Sequence, residues 1–246
     1  MYDLAGISKK TIAPDIEEYI QSNPSLISLL RAAKESKITN EELRQLEKKI
    51  SKSETKALIV AAGLGSRLKK HTESLPKCML DFNGKTLLQR QVQAYQDCGI
   101  KDITVIRGYK KEKINYKNLS YITNSDYKNN NILNSIFYGE EVINGNIIIA
   151  YSDILFESSV VKRLLESDHD ISVVVDIDWR GYYVDRKDHP LSEAENVIFN
   201  SNNEVVKIGK IATEKEEVHG EFIGMIKVTN RGAEILKQNF HRVKKL

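Results

Sequence analysis

The stretch that most constrains this chain runs from Lys56 to Leu80, KALIVAAGLGSRLKKHTESLPKCML. It opens with an unbroken apolar run, Ala57 to Ala62, bounded by lysine and glycine. A run without polar alternation suits a strand buried on both faces, as in a parallel sheet. Gly63-Leu64-Gly65-Ser66-Arg67 follows. Its two glycines let the backbone turn tightly and approach a ligand with no Cβ in the way. Outward-facing amides in such a turn, at the carboxyl end of a central strand, cradle anions. Arg67 adds a planar cationic fork matched to phosphate oxygens, and Lys77 adds a point charge further along. The chemistry expected here is that of a triphosphate site. Two common glycine motifs do not fit: a dinucleotide fingerprint needs glycine where Leu68 stands, and the G-x-x-x-x-G-K-[ST] loop is absent.

Composition sets the outer limits. The chain's 246 residues, 41% hydrophobic and 29% charged, can hold one sizeable core with a small extension. A net charge of +3 with interleaved signs calls for neither nucleic acid nor an anionic membrane as partner. No apolar run reaches bilayer length, and MYDLAGISKK lacks the basic-then-apolar order of a signal peptide. Cys78 and Cys98 show no metal-ligand spacing, so buried free thiols in a reducing cytoplasm are expected.

Residues 1–54 read as a small helical extension. A weak helix is expected near Asp15 to Ile20. Asn23-Pro24 is placed to start a second, with Leu26, Leu29, Leu30 and Ala33 on one face. Thr39 and Glu42 match a capping box for a third. Such narrow stripes need a partner surface, either the main domain or a second copy of the chain; a DNA-reading role is disfavoured by the mixed charges. Residues 51–55 read as the linker. From residue 55 to 246, strand and helix signals alternate, which predicts an α/β fold with a Rossmann-like, mostly parallel mixed sheet flanked by helices. A helix is expected from Leu87 to Gly99, another from Asn131 to Val142, and a last one from Arg231 to Phe240. Residues 178–195 lack periodicity, and long aperiodic stretches of this kind carry function.

Ligands in such sheets lie at the carboxyl ends of the strands. Asp153 directly follows the apolar run Ile147 to Ala150 and is the best carboxylate to hold a magnesium ion beside nucleotide phosphates. A helix N-cap is the plainer role for it. Asn129-Asn130-Asn131 precedes a helix, where capping accounts for one asparagine but not three.

The string Ala61-Ala62-Gly63-x-Gly65-x-Arg67-Leu68, followed by Pro76-Lys77-x-Met79-Leu80, closely resembles the signature of the sugar-nucleotide-type nucleotidyltransferases. The resemblance implies that Ala61, Ala62, Gly63, Gly65 and Ser66 wrap a nucleotide, that Arg67 and Lys77 hold its phosphates in catalysis, and that Ser152 lies beside it. Asp153 then binds the magnesium. Asn131 and Ser135 resemble an asparagine-then-serine motif of cytidylyltransferases acting on phosphocholine and related phosphonates, where it shapes the acceptor region. Asp178, Tyr182-Tyr183, Arg186, His189, Glu193, Glu195, Lys210 and Gly220 to Met225 look like the branch that makes CMP-aminoethylphosphonate from CTP and 2-aminoethylphosphonate. Charge fits a zwitterionic acceptor: Arg186, His189 or Lys210 for the phosphonate, Glu193, Glu195 or aromatics for the ammonium. That family carries a second metal-binding aspartate beyond the helix that here starts at Arg231, so a domain incomplete at its carboxyl end is expected. Phosphocholine as acceptor, another nucleotide as donor, or a non-catalytic nucleotide-binding module are the alternatives.

Overall fold

The computed structural model describes residues 12, 14–43, 45–46, 55–129, 131–186, 190–210 and 217–244, with the side chains of Pro14, Asp15, Arg67 and Lys69 outside that description. The chain divides into two compact units, residues 1–49 and 50–246.

In the first unit, helices α1 (Pro14–Ser22) and α2 (Pro24–Glu35) follow one another. Pro24 begins α2 as the sequence predicts, but Asn23 does not cap it. Its amide instead donates back to the Tyr19 carbonyl at 2.8 Å. The capping box at Thr39 and Glu42 forms reciprocally: the Glu42 carboxylate accepts from the Thr39 amide at 2.8 Å, and the Glu42 amide donates to the Thr39 hydroxyl at 3.2 Å. Residues 40–43 and 45–46 are helical, and the expected linker at 51–54 lies outside the described residues.

The second unit is built on an eight-stranded mixed sheet. Its strands are β1 (Lys56–Ala61), β4 (Ile103–Arg107), β5 (Ser120–Thr123), β6 (Ile147–Tyr151), β7 (Ile171–Asp176), β8 (Asn196–Phe199), β9 (Val205–Gly209) and β10 (Gly220–Val228). A short hairpin, β2 (Asp81–Phe82) with β3 (Lys85–Thr86), stands apart from it. Across the sheet the order is β5-β4-β1-β6-β10-β8-β9, with β7 also paired to β10. β1 lies between β4 and β6 and is parallel to both, whereas β10 runs antiparallel to β6, β7 and β8. The apolar run is thus central and buried on both sides. Ala57, Ile59 and Ala61 pack with Leu88, Tyr95 and Val161; Leu58, Val60 and Ala62 pack with Ile106, Ile136 and Val228. At roughly 1.5–3 kcal/mol for each fully buried Leu, Ile or Val, this strand anchors the fold.

The flanking helices are α3 (Leu87–Gln96), α4 (Ile132–Phe137), α5 (Ser158–Glu166) and α6 (Asn230–Lys244). α3 starts at a capping box in which Thr86 and Gln89 bond each other's backbone. α4 ends at Phe137, five residues before the expected Val142, and the chain goes on in tighter three-residue turns, the Gly139 amide donating to Ile136 and the Val142 amide to Gly139, both at 2.9 Å. α6 is longer than expected, and its Phe240 ring stacks on Phe137 with centroids 3.5 Å apart. Residues 178–195 are not a featureless loop. Two short 3-10 turns, Trp179–Tyr183 and Leu191–Glu193, fold around a buried Trp179 packed with Ala194 and Val218.

β10 slips its register on β7 between Phe222 and Ile226, and Gly224 within the slip has φ +88. A Cβ there would stand 2.1 Å from the Tyr151 ring. Gly224→Ala is therefore expected to lose about 1–3 kcal/mol of stability through the positive φ and the forced ring shift, read as a lower denaturant midpoint. An unchanged midpoint would show the bulge is not needed to seat Tyr151.

Candidate active site

The nucleotide-loop residues leave the sheet at the end of β1. Ala61 and Ala62 are buried; Gly63, Leu64 and Ser66 are exposed. Gly65 adopts φ +64, and a Cβ on it would meet Thr72 at 3.0 Å and Lys77 Cβ at 3.4 Å. Glycine is needed here both for the left-handed backbone and for the close approach of Lys77. The loop is then stitched down: the Thr72 hydroxyl donates to the Gly65 carbonyl at 2.9 Å, and the Tyr109 hydroxyl donates to the Thr72 carbonyl at 3.0 Å. Tyr109 also donates its amide to the Ala62 carbonyl at 3.1 Å. The backbone of Arg67 lies in the 3-10 turn Ser66–Thr72, while its side chain lies outside the described residues.

Lys77 stands at the head of a 3-10 turn, Lys77–Met79. Pro76 precedes it in extended conformation, and the next residue, Cys78, is buried in the core. Burial pushes the Cys78 thiol up to about 12, so it is an inert core group. Cys98 is only partly buried. With Cys78 fixed inward, Lys77 Nζ reaches Asp153 Oδ2 at 2.7 Å across 76 residues of sequence. The two side chains are 36% and 40% exposed. An ion pair so open to water adds at most about 1 kcal/mol to stability, so its significance is where it places the two charges. Asp153 is held there by the end of β6: Val60 is in register with Tyr151, and the Ser152 amide, on a buried residue, donates to the Val60 carbonyl at 3.2 Å.

Among the described residues no cluster of three or more acidic, His or Cys side chains could cage a metal. A single carboxylate at a strand end, open to water beside a glycine loop, fits the donor set of magnesium, which takes one or two carboxylates and fills its shell from phosphate oxygens and water.

A second group of polar residues gathers at the antiparallel half of the sheet. The Tyr183 hydroxyl donates to Glu221 Oε1, and the Arg186 guanidinium lies 5.3 Å over the Tyr183 ring. Glu195 is half-buried; that burial and the nearby Glu221 charge hold its carboxyl above the usual range, while Lys210 pulls the other way. Tyr151 joins the two groups, its hydroxyl pushed up to about 12 by burial and then by the charges of Glu195 and Asp153. Glu193 lies exposed near Tyr183. Asp178 is exposed, with its amide bonded to Asp176 at 2.9 Å. His189 falls outside the described residues. Asn131 caps α4, accepting from the Asn134 amide at 2.8 Å, and Ser135 is buried, accepting from Asn124 Nδ2 at 3.0 Å. Glu221 lies within the Gly220 to Met225 stretch of the resemblance but was not singled out there, and Tyr151, the last residue of β6, was not either.

Residues 57–201 match the model of the MobA-like NTP transferase domain. The chain is 30% identical over 182 residues to the CTP:phosphoglutamine cytidylyltransferase of Campylobacter jejuni, covering 70% of this chain and 72% of that protein. It is 33% identical over 118 residues to the choline-phosphate cytidylyltransferase of Streptococcus pneumoniae, covering 46% of this chain and 52% of that one. It is also 31% identical over 107 residues to the 2-aminoethylphosphonate cytidylyltransferase of Lancefieldella rimae, covering 41% and 44%. The inositol-1-phosphate CTP transferase of T. maritima shares the fold with a TM-score of 0.58 at 22% identity, over 73% of this chain and 72% of that one. The glycine loop after β1, the Asp153 turn after β6 and the Lys77 that faces Asp153 all fall within the span matched by that model, and the chain belongs to the MobA-like NTP transferase family.

Proposed function

We propose that this protein transfers CMP from CTP to a small amine-bearing phosphonate, 2-aminoethylphosphonate, releasing pyrophosphate. The observation that carries the reading is the Lys77–Asp153 pair, 2.7 Å apart beside the Gly63–Ser66 loop. Nucleotidyl transfer needs charge neutralised where it develops more than it needs covalent help from the protein. A phosphonate oxygen of the acceptor attacks the α-phosphorus, the bond to the bridging β-oxygen breaks, and its electron pair leaves with pyrophosphate. The acceptor is already ionised, so no general base is required. Asp153, with phosphate oxygens of the nucleotide, would hold a magnesium ion, which supplies positive charge at the transferring phosphoryl group. Lys77 turns from Asp153 to the phosphates as they enter, and Arg67 orients the outer ones. The acceptor's ammonium is read by Glu195 and Glu221, with Tyr151 and Tyr183 as walls. Arg186 and Lys210 draw in its phosphonate.

A second reading, phosphoglutamine as acceptor, is favoured by one fact: the relative of that name is matched over 72% of its length. Both readings place an ammonium among acids. Phosphocholine is less suited, because a trimethylammonium donates no hydrogen bond to a carboxylate.

With CTP, kcat/KM for 2-aminoethylphosphonate is expected to exceed that for phosphocholine by roughly ten- to hundredfold, the cost of leaving one or two polar groups unpaired. A higher value for phosphoglutamine would move the assignment to the second reading. Equal or better use of phosphocholine would remove the acids from acceptor recognition. Lys77→Ala should lower kcat at least about a hundredfold, as for other lost transition-state charge contacts; near-normal kcat in a folded variant would take it off the reaction path.

Glu195→Gln gives a prediction of opposite sign for stability and function. The folded state raises the Glu195 carboxyl above its ordinary 4.5, so folding binds a proton there and stability falls as pH rises past that value. The glutamine variant should melt higher than wild type at pH 7, with the gain vanishing below about pH 4.5, while its acceptor KM rises. A lower melting temperature at pH 7 would mean that Lys210 more than offsets the burial of Glu195.

A further inference from the structure

α3 buries the face Leu87, Leu88, Gln91, Ala94 and Tyr95. Gln91 is the exception in this stripe, an amide only 1% exposed where leucine would pack without a polar group. Its Nε2 donates to two main-chain carbonyls, Tyr151 at 2.9 Å and Ile154 at 2.7 Å. Those contacts use both amide protons, and they fix which end of the amide is nitrogen. Oε1, at the other end, is buried without a hydrogen-bond partner among the described residues. A buried, unpaired acceptor is a cost with no return in packing. The two carbonyls bracket Ser152 and Asp153, the turn that carries the carboxylate facing Lys77.

We infer that Gln91 is a positioning residue: its amide clamps both sides of the Ser152-Asp153 turn and so fixes the Asp153 carboxylate beside Lys77. Among the described residues the turn is also tied by the Lys77–Asp153 pair at 2.7 Å and by a hydrogen bond between the Ser152 and Cys78 side chains, but only Gln91 holds main-chain carbonyls on both sides of it. The Ser152 amide bonds to Val60 at 3.2 Å, and Asp153 itself lies open to water at 40% exposure. Helix α3 starts at a full capping box and is packed into the core along its buried face, so a side chain reaching from its middle ties the turn to a fixed element. The inference rests on the proposed role of Asp153 for its effect on turnover, but the clamp itself is a property of the free protein.

The test replaces Gln91 by leucine, which removes the orphaned Oε1 together with both donors, and by methionine, which keeps the chain length. In protein free of metal and nucleotide, the Ser152 amide should exchange at least about tenfold faster than in wild type, while the amides of Leu58 to Val60 keep their rates. With CTP, magnesium and acceptor, kcat should fall about ten- to hundredfold, the scale of a misplaced group. KM for CTP should stay within about threefold, because the nucleotide loop is untouched, and the magnesium concentration for half activity should rise. If Ser152 and the β1 amides quicken together, or if kcat and magnesium dependence match wild type, the inference is overturned. Failure of both variants to fold would also overturn it, by showing that the amide serves the core. A wild-type protein with no transfer activity would instead count against the proposed function, leaving the exchange comparison to decide the clamp.

Discussion

Two parallel strands that end side by side set up this molecule's chemistry. β1 and β6 are neighbours in register, Val60 opposite Tyr151, so the glycine loop and the Ser152-Asp153 turn emerge side by side at the carboxyl ends of these strands. Neither strand could be there without its burial: β1 is apolar from Ala57 to Ala62 because both of its faces are core. The shape of the glycine loop is then a consequence of backbone geometry. Gly65 supplies the left-handed turn, Thr72 and Tyr109 tie it down, and the 3-10 turn after Pro76 aims Lys77 across the gap.

The antiparallel half does a different job. β10 turns the mixed sheet over, and its slip at Gly224 makes room for the Tyr151 ring between the two polar groups. On the far side, Glu195 sits half-buried near Glu221 with Lys210 as a partial counterweight. Placing like charges together lowers stability, and such sites are where function is built against the interest of the fold. Gln91 repeats the pattern in the core, giving up an acceptor to hold a turn.

Much of this was legible in the sequence, and the reasons differ by residue. The β1 run, the glycine loop, Lys77 and Asp153 announce themselves because each is tied to a local rule: an apolar run, a turn residue, a charge after a strand. The mixed, mostly parallel sheet followed from strand–helix alternation, and its neighbours among solved structures are nucleotidyltransferases. What the sequence hid depends on contacts across long separations. Gln91 meets Tyr151 and Ile154 over 60 and 63 residues, and in sequence it is one more glutamine in LLQRQVQAYQ. Glu221 lies on a strand opposite Asn196, so its nearness to Glu195 needs the register of β10 on β8. Local capping rules hold for Asn131, which caps α4 through Asn134, whereas the bond between Ser135 and Asn124 has no local signal in the sequence. Asn23 shows the same limit, since a capping residue beside a proline had a competing carbonyl one turn back.

In the proposed reaction Lys77 and Asp153 act as one unit on the nucleotide. A double-mutant cycle on kcat tests it most directly, with Lys77→Ala, Asp153→Asn and the two combined. Groups that act together are non-additive, so the double variant should be about as slow as the slower single one. Penalties that multiply in full would show two independent groups and contradict the account.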